Sequence, residues 1–204
     1  MIKIINKGLW LLIFFLAILI GLYALSVGMI SATRSPFVSE LIQNSFSSSL
    51  LHILGGGIVI IFGAAQFSQR LRSKRPTIHR WMGYVYIAGV FVGGLAALNL
   101  SLYSSGGLVA HFGFGALAII WLVSTAIAFN KIRQRKIIEH QRWMIRSYAL
   151  TLAALTLRIY LPIALISGIP FEEVYPLIAW ICWVPNILIA EWLLLPKLTK
   201  SHSG

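Results

Sequence analysis

Long apolar stretches alternate with short polar connections along nearly the whole chain. Several of these stretches reach or approach the ~20 residues that an α-helix needs to cross the ~30 Å hydrocarbon core of a bilayer. The pattern therefore predicts six membrane-spanning helices, and it predicts a loop at residues 32–46, between the first two. The predicted spans are residues 9–30, 47–69, 80–103, 108–130, 142–167 and 174–195.

The composition favours an integral membrane protein. Hydrophobic residues make up 58% of the 204 residues and charged residues only 11%, and the mean hydropathy is +0.85. A soluble domain of this length could not hide so many uncharged runs in one core. We expect a single all-α membrane domain over residues 1–204, surrounded by a lipid bilayer. Its first apolar run is longer than the ~7–15 residues of a signal peptide, so we interpret that run as a membrane helix.

Lysine and arginine are concentrated in the connections that share one side of the predicted bundle. This bias matches the positive-inside rule, so the net charge of +12 does not indicate a nucleic-acid partner. We expect a multi-pass protein of the cell membrane with both termini in the cytoplasm. The cations on this side are Lys3, Lys7, Arg70, Arg72, Lys74, Arg75, Arg80, Lys131, Arg133, Arg135, Lys136, Arg142, Lys197 and Lys200.

The segment 52–86 carries a pattern that returns in a weaker copy at residues 110–148. In each copy a histidine opens an apolar run, a basic segment follows, and a second histidine precedes a Trp-Met pair and a tyrosine. This repetition predicts a duplicated helical hairpin, so that the second to fifth spans form a four-helix core. The outer pair of histidines, expected near the external face, is His52 and His111, and the inner pair, expected near the cytoplasm, is His79 and His140.

Two histidines that face each other across a helix bundle can supply both axial ligands of a haem iron. A glycine one helical turn after three of these histidines would let a flat macrocycle approach the backbone, and nearby arginines suit the propionates. A divalent metal is less expected, because each pair lacks third and fourth ligands, and the single cysteine, Cys182, is expected only to pack. The predicted sites for two b-type haems comprise the four histidines, which would bind the haem irons, with Gly56, Gly83, Gly115, Arg80, Arg142 and Arg158.

The same residue types also have a purely structural interpretation. Histidine and tryptophan are ordinary residues at membrane borders, and glycine permits close packing of membrane helices. The protein would then be a non-redox multi-pass membrane protein, either a small-solute carrier or an assembly factor. Carriers often contain broken helices at mid-membrane, and the middle of the second to fifth spans has no proline, which weighs against transport.

Polar residues inside the predicted spans need partners. Arg146 and Glu191 fall at similar depths, about 9 Å from the inner face, so we predict a structural ion pair between them. Gln66, Asn99 and Asn186 are predicted to make hydrogen bonds between helices.

The most distinctive motifs of the chain are HRWMGY at residues 79–84 and HQRWMIRSYALT at residues 140–151. Together with Arg158, they resemble the signature of a bacterial membrane family catalogued as domain of unknown function 2306. The likeness extends from about Ser47 to Leu195. It implies a multi-pass membrane protein and says little about activity.

A looser resemblance is to the two-haem transmembrane cytochromes b, which pass electrons across a membrane from a reductant such as ascorbate. In that family the second helix pairs with the fourth, and the third with the fifth, through histidines. The resemblance implies that His52 pairs with His111 at an outer haem and His79 with His140 at an inner one. We therefore hypothesise transmembrane electron transfer by an oxidoreductase whose partner is a small-molecule reductant or a quinol.

Overall fold

A computed structural model describes residues 7–195, and within that range the chain is almost entirely helical, with no β-strand. A 3-10 turn at Ser31–Thr33 precedes the second helix, and a π-helical turn at Ala190–Leu194 continues the last one. The α-helices of the described range are α1 (Lys7–Met29), α2 (Pro36–Asn44), α3 (Phe46–Gln66), α4 (Gln69–Lys74), α5 (Pro76–Ser101), α6 (Gly107–Arg133), α7 (Ile137–Thr151), α8 (Ala153–Ile166), α9 (Phe171–Ile181) and α10 (Val184–Ile189).

The prediction of six membrane-spanning helices is confirmed. Six helical segments among residues 7–195 are long and apolar enough to cross a bilayer, with α7–α8 and the segment from α9 to the π-helical turn each forming one span. The third and fifth spans begin at Pro76 and Ile137, several residues before the predicted starts at 80 and 142. His79 and His140 consequently lie inside the first turns of their helices rather than just before them. Proline suits the first helical turn, because the missing N–H would be unpaired there in any case.

The connection between the first two spans is not the plain loop that the sequence predicts. Residues 36–44 form α2, and the Ser35 hydroxyl caps its start by accepting a hydrogen bond from the Val38 N–H at 3.3 Å. Serine followed by proline is a typical helix start, because serine caps the free N–H groups and proline tolerates the first position. The search for long apolar runs did not predict this helix, because α2 is only 9 residues long and does not cross the membrane.

Four helices form a ring that positions the candidate site. The packed neighbours are α3 with α5, α5 with α6, α6 with α7, and α7 with α3. As a result, α3 lies diagonally opposite α6, and α5 lies diagonally opposite α7. These helices belong to the second to fifth spans, as expected, whereas the duplication of a hairpin stays a prediction. Outside the ring, α1 packs on α3, and α9 packs on α6.

Two spans are interrupted near their middle. The fifth breaks at Leu152, between α7 and α8, and the sixth breaks at Cys182 and Trp183, between α9 and α10. Pro185 explains the second break, because it has no N–H to donate to the carbonyl one turn before it. In the fifth span, the Thr151 hydroxyl donates to the carbonyl one turn before it at 3.0 Å, a bond that often bends helices. The absence of proline from the middle of the fifth span therefore does not keep that span regular.

Hydrogen bonds between helices occur at all three polar residues for which they are predicted. Each amide side chain lies between two helices and finds a partner on the other one, since an unpaired amide in an apolar environment is costly. Gln66 Nε2 donates to the His79 carbonyl at 2.8 Å, Ser48 Oγ donates to Asn99 Oδ1 at 3.0 Å, and Asn186 Nδ2 donates to Thr156 Oγ1 at 3.2 Å.

Candidate functional site

A buried network of hydroxyl groups occupies the middle of the ring. Tyr86 Oη on α5 lies 2.8 Å from Ser147 Oγ and 3.0 Å from Thr151 Oγ1, both on α7. From α6, Trp121 Nε1 donates to Thr151 Oγ1 at 3.0 Å, and Thr125 Oγ1 lies 2.7 Å from Ser147 Oγ. The network ties three helices together across the diagonal between α5 and α7. The apolar pattern does not predict this network, although Ser147 and Thr151 stand four positions apart, which places them on one helix face.

The inner histidines lie on the same two helices as Tyr86 and Ser147, so the network determines how the histidines are placed relative to each other. His79 stands seven positions before Tyr86 on α5, and His140 stands seven positions before Ser147 on α7. Seven residues are almost two full helical turns, so each histidine shares a face with its hydroxyl, about 10 Å nearer the basic connections. Because α5 and α7 run in the same direction and their hydroxyls meet, we infer that the two imidazoles lie at similar depths on the sides of the helices that face each other. They are close enough for their charges to interact.

The ring nitrogens of the inner pair are available to a ligand. His140 Nδ1 lies 2.8 Å from the Ala128 carbonyl on α6. A carbonyl oxygen can only accept, so Nδ1 carries the proton and Nε2 keeps its lone pair. His79 Nδ1 is buried without a hydrogen-bond partner, and so is Oε1 of the neighbouring Gln66. Buried polar atoms of this kind are rare and call for an explanation such as a ligand or an ordered water.

The outer histidines are held differently. His52 Nδ1 lies 3.0 Å from the Gly93 carbonyl inside α5, whereas His111 Nε2 lies 2.9 Å from the Ser104 carbonyl, in the turn after α5. From Gly93 to the end of α5 at Ser101 the helix alone rises about 12 Å. The sequence predicts one common depth for this pair, but the structure anchors the two rings at different levels. The nitrogen that His111 leaves free is Nδ1, which is crowded by its own Cβ.

The predicted slot glycines differ in the space beside them. A Cβ added to Gly56 would meet no atom within 4 Å. One on Gly83 would lie 3.4 Å from Gln66 Nε2, and one on Gly115 would lie 3.4 Å from Ser101 Oγ, which are ordinary contacts. Only the space beside Gly56 is therefore open among these three positions.

The arginines proposed as propionate partners lie in three settings. Arg80 is exposed at the inner end of α5, and Arg142 is half-buried on α7, two positions after His140. Arg158 lies on α8 with its guanidinium 5.8 Å from the centre of the Tyr23 ring. Arg158 and His52 are close enough for their charges to interact, which agrees with the expected depth of Arg158 near the outer pair.

Arg146 and Glu191 are brought together inside the membrane span. Arg146 Nε donates to Glu191 Oε1 at 2.5 Å, and Nη2 donates to Oε2 at 3.0 Å, a two-pronged pair. The guanidinium also lies 4.5 Å from the centre of the Trp143 ring. The pair joins α7 to the end of the sixth span, and its side chains keep 22% and 36% of their surface exposed. This position suits a clamp between two helices.

Among residues 7–195, no group of three or more His, Cys, Asp or Glu side chains could hold a metal ion. Cys182 is fully buried between helices. A haem iron needs only two protein ligands, so the inner pair has the donor chemistry that haem requires. Its similar depths and facing sides fit that group better than the arrangement of the outer pair does, whereas each pair contains one histidine whose Nε2 is left free by a hydrogen bond from Nδ1.

A family model described as "Predicted membrane protein (DUF2306)" matches residues 49–194. The match runs from the second span through the sixth and agrees with the resemblance carried by the two His-containing motifs. No curated protein and no solved structure matches the chain.

Proposed function

We propose that this chain, which belongs to the DUF2306 family of predicted membrane proteins, carries electrons across the bilayer through two bis-histidine b-type haems. His79 and His140 would hold the inner haem, and His52 and His111 the outer one. The electron donor would be a small-molecule reductant or a quinol at the face with the basic connections, where we expect the cytoplasm. The chain is a predicted multi-pass membrane protein whether or not it binds haem.

The observation that carries the proposal is the geometry of the inner pair. The hydrogen bond between Tyr86 and Ser147 fixes how α5 and α7 are aligned. This alignment sets His79 and His140 on facing sides at one depth, each with a nitrogen free of protein partners. An interfacial role alone does not require matched depth, facing orientation and an unpartnered buried nitrogen.

A bound haem would supply a one-electron carrier, and the protein would set its potential through the ligands, the hydrogen bonds behind them and burial. The Ala128 carbonyl accepts the Nδ1 proton of His140, which orients the ring and raises the basicity of Nε2. The Gly93 carbonyl does the same for His52. Between the two ends, the buried hydroxyl network and the aromatic rings of Tyr86 and Trp121 keep the middle of the ring filled, which excludes bulk water.

The test is the optical spectrum of protein purified in detergent from haem-replete cells, oxidised and then reduced with dithionite. We expect a Soret shift with resolved α and β bands and a haem content of about two per chain. The matched control is His202→Ala, which removes the fifth histidine of the chain from the C-terminal tail, outside the described residues. It should leave the spectrum unchanged, and a colourless wild-type preparation would overturn the proposal.

A second candidate function, a small-solute carrier, is favoured by the interruptions of the fifth and sixth spans. The two breaks are joined, because Thr156 Oγ1 donates to the Cys182 carbonyl and Asn186 Nδ2 donates to the same carbonyl at 3.0 Å. Paired broken helices with exposed backbone groups are a recurrent basis of solute binding in transporters. Colourless protein whose melting temperature responds to a panel of small solutes, with the response removed by Asn186→Leu, would favour this function over electron transfer.

A further inference from the structure

An open cavity lined mainly by cations lies beside α4, the short helix that connects α3 to α5. Its volume is about 430 Å³, and it is lined by Ser68, Arg70, Leu71, Lys74 and Arg75. Cavities of this size are within the range that binds small molecules. Three of its five lining residues are cations, and it lies at the membrane border, because the second span ends at Gln66 and the third begins at Pro76.

The cations around this cavity have no carboxylate partner. None of Arg70, Arg72, Lys74 and Arg75 forms an ion pair within the part of the chain that the structure describes. The short helix α4 holds the first three of them at fixed positions, and Ser68 caps α4 by accepting from the Leu71 N–H at 3.3 Å. Like charges held close together repel one another, and an anion placed between them removes that repulsion.

The corresponding connection between α6 and α7 lies on the same side of the membrane, but two of its lysines have a carboxylate partner. Lys131 Nζ lies 2.5 Å from Glu139 Oε2, and Lys136 Nζ lies 4.0 Å from Glu139 Oε1. The Arg133 guanidinium lies 6.0 Å from the centre of the Phe129 ring. The positive-inside rule accounts for cations in both connections, but it does not require a cavity lined by three cations and no carboxylate.

We propose that the cavity beside α4 binds an anionic phosphate group, carried either by a phospholipid headgroup of the adjacent leaflet or by a soluble phosphate ester. Arginine offers a planar fork of donors that matches phosphate oxygens, and lysine adds a mobile point charge. The Ser68 hydroxyl and the apolar Leu71 side chain also line the cavity. A lipid would place its polar headgroup near the first and the start of its acyl chains near the second. The site is separate from the four histidines, so its existence does not depend on haem.

The test compares two variants that remove the same number of charges on the same side of the membrane. Arg70→Gln/Lys74→Gln/Arg75→Gln alters the cavity, and Arg133→Gln/Arg135→Gln/Lys136→Gln alters the other connection. Full-length protein in detergent is titrated with dioleoylphosphatidylglycerol, with the neutral dioleoylphosphatidylcholine as reference, and bound lipid is counted by native mass spectrometry. We expect the cavity variant to bind phosphatidylglycerol at least about tenfold more weakly than wild type, and the other variant to stay within about twofold.

Inorganic phosphate distinguishes the two sources of the anion. If phosphate displaces phosphatidylglycerol, or binds in its absence, the natural ligand is a soluble phosphate ester; if only the lipid binds, the ligand is a headgroup. Equal weakening in both triple variants would reduce the site to general surface charge and overturn the proposal. So would wild-type affinity in the cavity variant, or the absence of binding to either probe.

Removing three cations could also disturb membrane insertion, so a second variant keeps the charge. Arg70→Lys/Arg75→Lys preserves the orientation signal and removes only the guanidinium forks. We expect it to bind phosphatidylglycerol about threefold or more weakly than wild type. Unchanged affinity in this variant would show that the cavity beside α4 does not recognise phosphate through its arginines, which would overturn the proposal.

Discussion

The inner and outer ends of the four-helix ring both carry two histidines, yet they hold them in different ways. At the inner end, His79 and His140 lie at one depth, and a polar atom of His79 is buried without a partner. At the outer end, His52 is tied to the middle of α5 and His111 to the turn beyond it. Each outer ring thus has its own anchor, whereas the inner rings are aligned by a hydrogen bond that lies between their helices.

Equal spacing along the chain is therefore not enough to align two ligands in space. The alignment comes from cross-helix contacts, such as the one between Tyr86 and Ser147, and such contacts are made at specific positions only. The inner pair inherits its alignment because each histidine stands the same seven positions from a member of that contact. Within the described residues, no hydrogen bond between α3 and α6 aligns the outer pair in this way, so the inner end is the better candidate for a bis-histidine site.

A single substitution of an axial histidine should remove one whole haem. His140→Ala removes an inner ligand and His52→Ala removes an outer one, and each change should abolish one haem and spare the other. The haem content per chain should fall by about half in each variant, because each iron needs both of its axial ligands. The measurement is the reduced-minus-oxidised spectrum together with the haem-to-protein ratio.

Two outcomes would contradict this difference between the inner and outer ends. Loss of both haems from either substitution would mean that the two sites are not independent. Loss of haem from His52→Ala but none from His140→Ala would mean that the inner end holds none, in conflict with its better alignment.

Glycine substitutions compare the packing of the two halves of α3. A Cβ on Gly63, toward the inner end, would lie 2.5 Å from the Tyr148 ring and 2.8 Å from the Tyr86 ring, whereas a Cβ on Gly56 would meet nothing. We expect Gly63→Ala to lower the free energy of unfolding by about 3 kcal/mol, because overpacking forces both rings to move. Gly56→Ala should be neutral or slightly stabilising, since alanine is the better helix former.

Melting temperatures in detergent measure this difference, and equal shifts for Gly63→Ala and Gly56→Ala would contradict it. In haem-loaded protein, Gly56→Ala has a second readout. If the outer macrocycle uses the open space beside Gly56, that variant should retain less of the outer haem while its haem-free stability is unchanged.

The arginines at the two ends also have different partners. Arg146 forms an ion pair with a carboxylate, whereas the guanidinium of Arg158 lies near the face of the Tyr23 ring. Glu191→Gln leaves the Arg146 charge in the span without its counter-charge. We expect a loss of about 2 kcal/mol, between the roughly 3–5 kcal/mol of a broken buried pair and the under ~1 kcal/mol of an exposed one. Glu172→Gln, an exposed carboxylate in the same span, is the control, and its melting temperature should match that of wild type.

Much of the architecture could be predicted from the sequence, because the bilayer imposes a length and polarity on every span. The partnership of Arg146 with Glu191 followed from their similar depths. What the sequence did not reveal depends on contacts between distant residues: the alignment of α5 with α7 through Tyr86, and the break at Leu152, where no proline marks the position. Local signals were present at Ser147 and Thr151, but two small hydroxyl residues four positions apart are too common in membrane helices to single out a buried network.

The smallest expected effect comes from removing one hydroxyl group at the level that aligns the inner pair. Tyr86→Phe keeps the fully buried ring but leaves Ser147 and Thr151 without the tyrosine hydroxyl. We expect the free energy of unfolding to fall by about 1 kcal/mol, since the two partners keep other bonds within the network. Tyr84→Phe is the matched control, because Tyr84 is 55% exposed on the same helix and its stability should not change. If Tyr86 also aligns the inner histidines, Tyr86→Phe will shift the inner haem α band while Tyr84→Phe leaves it in place, and identical spectra for the two variants would show that the network only holds the helices together.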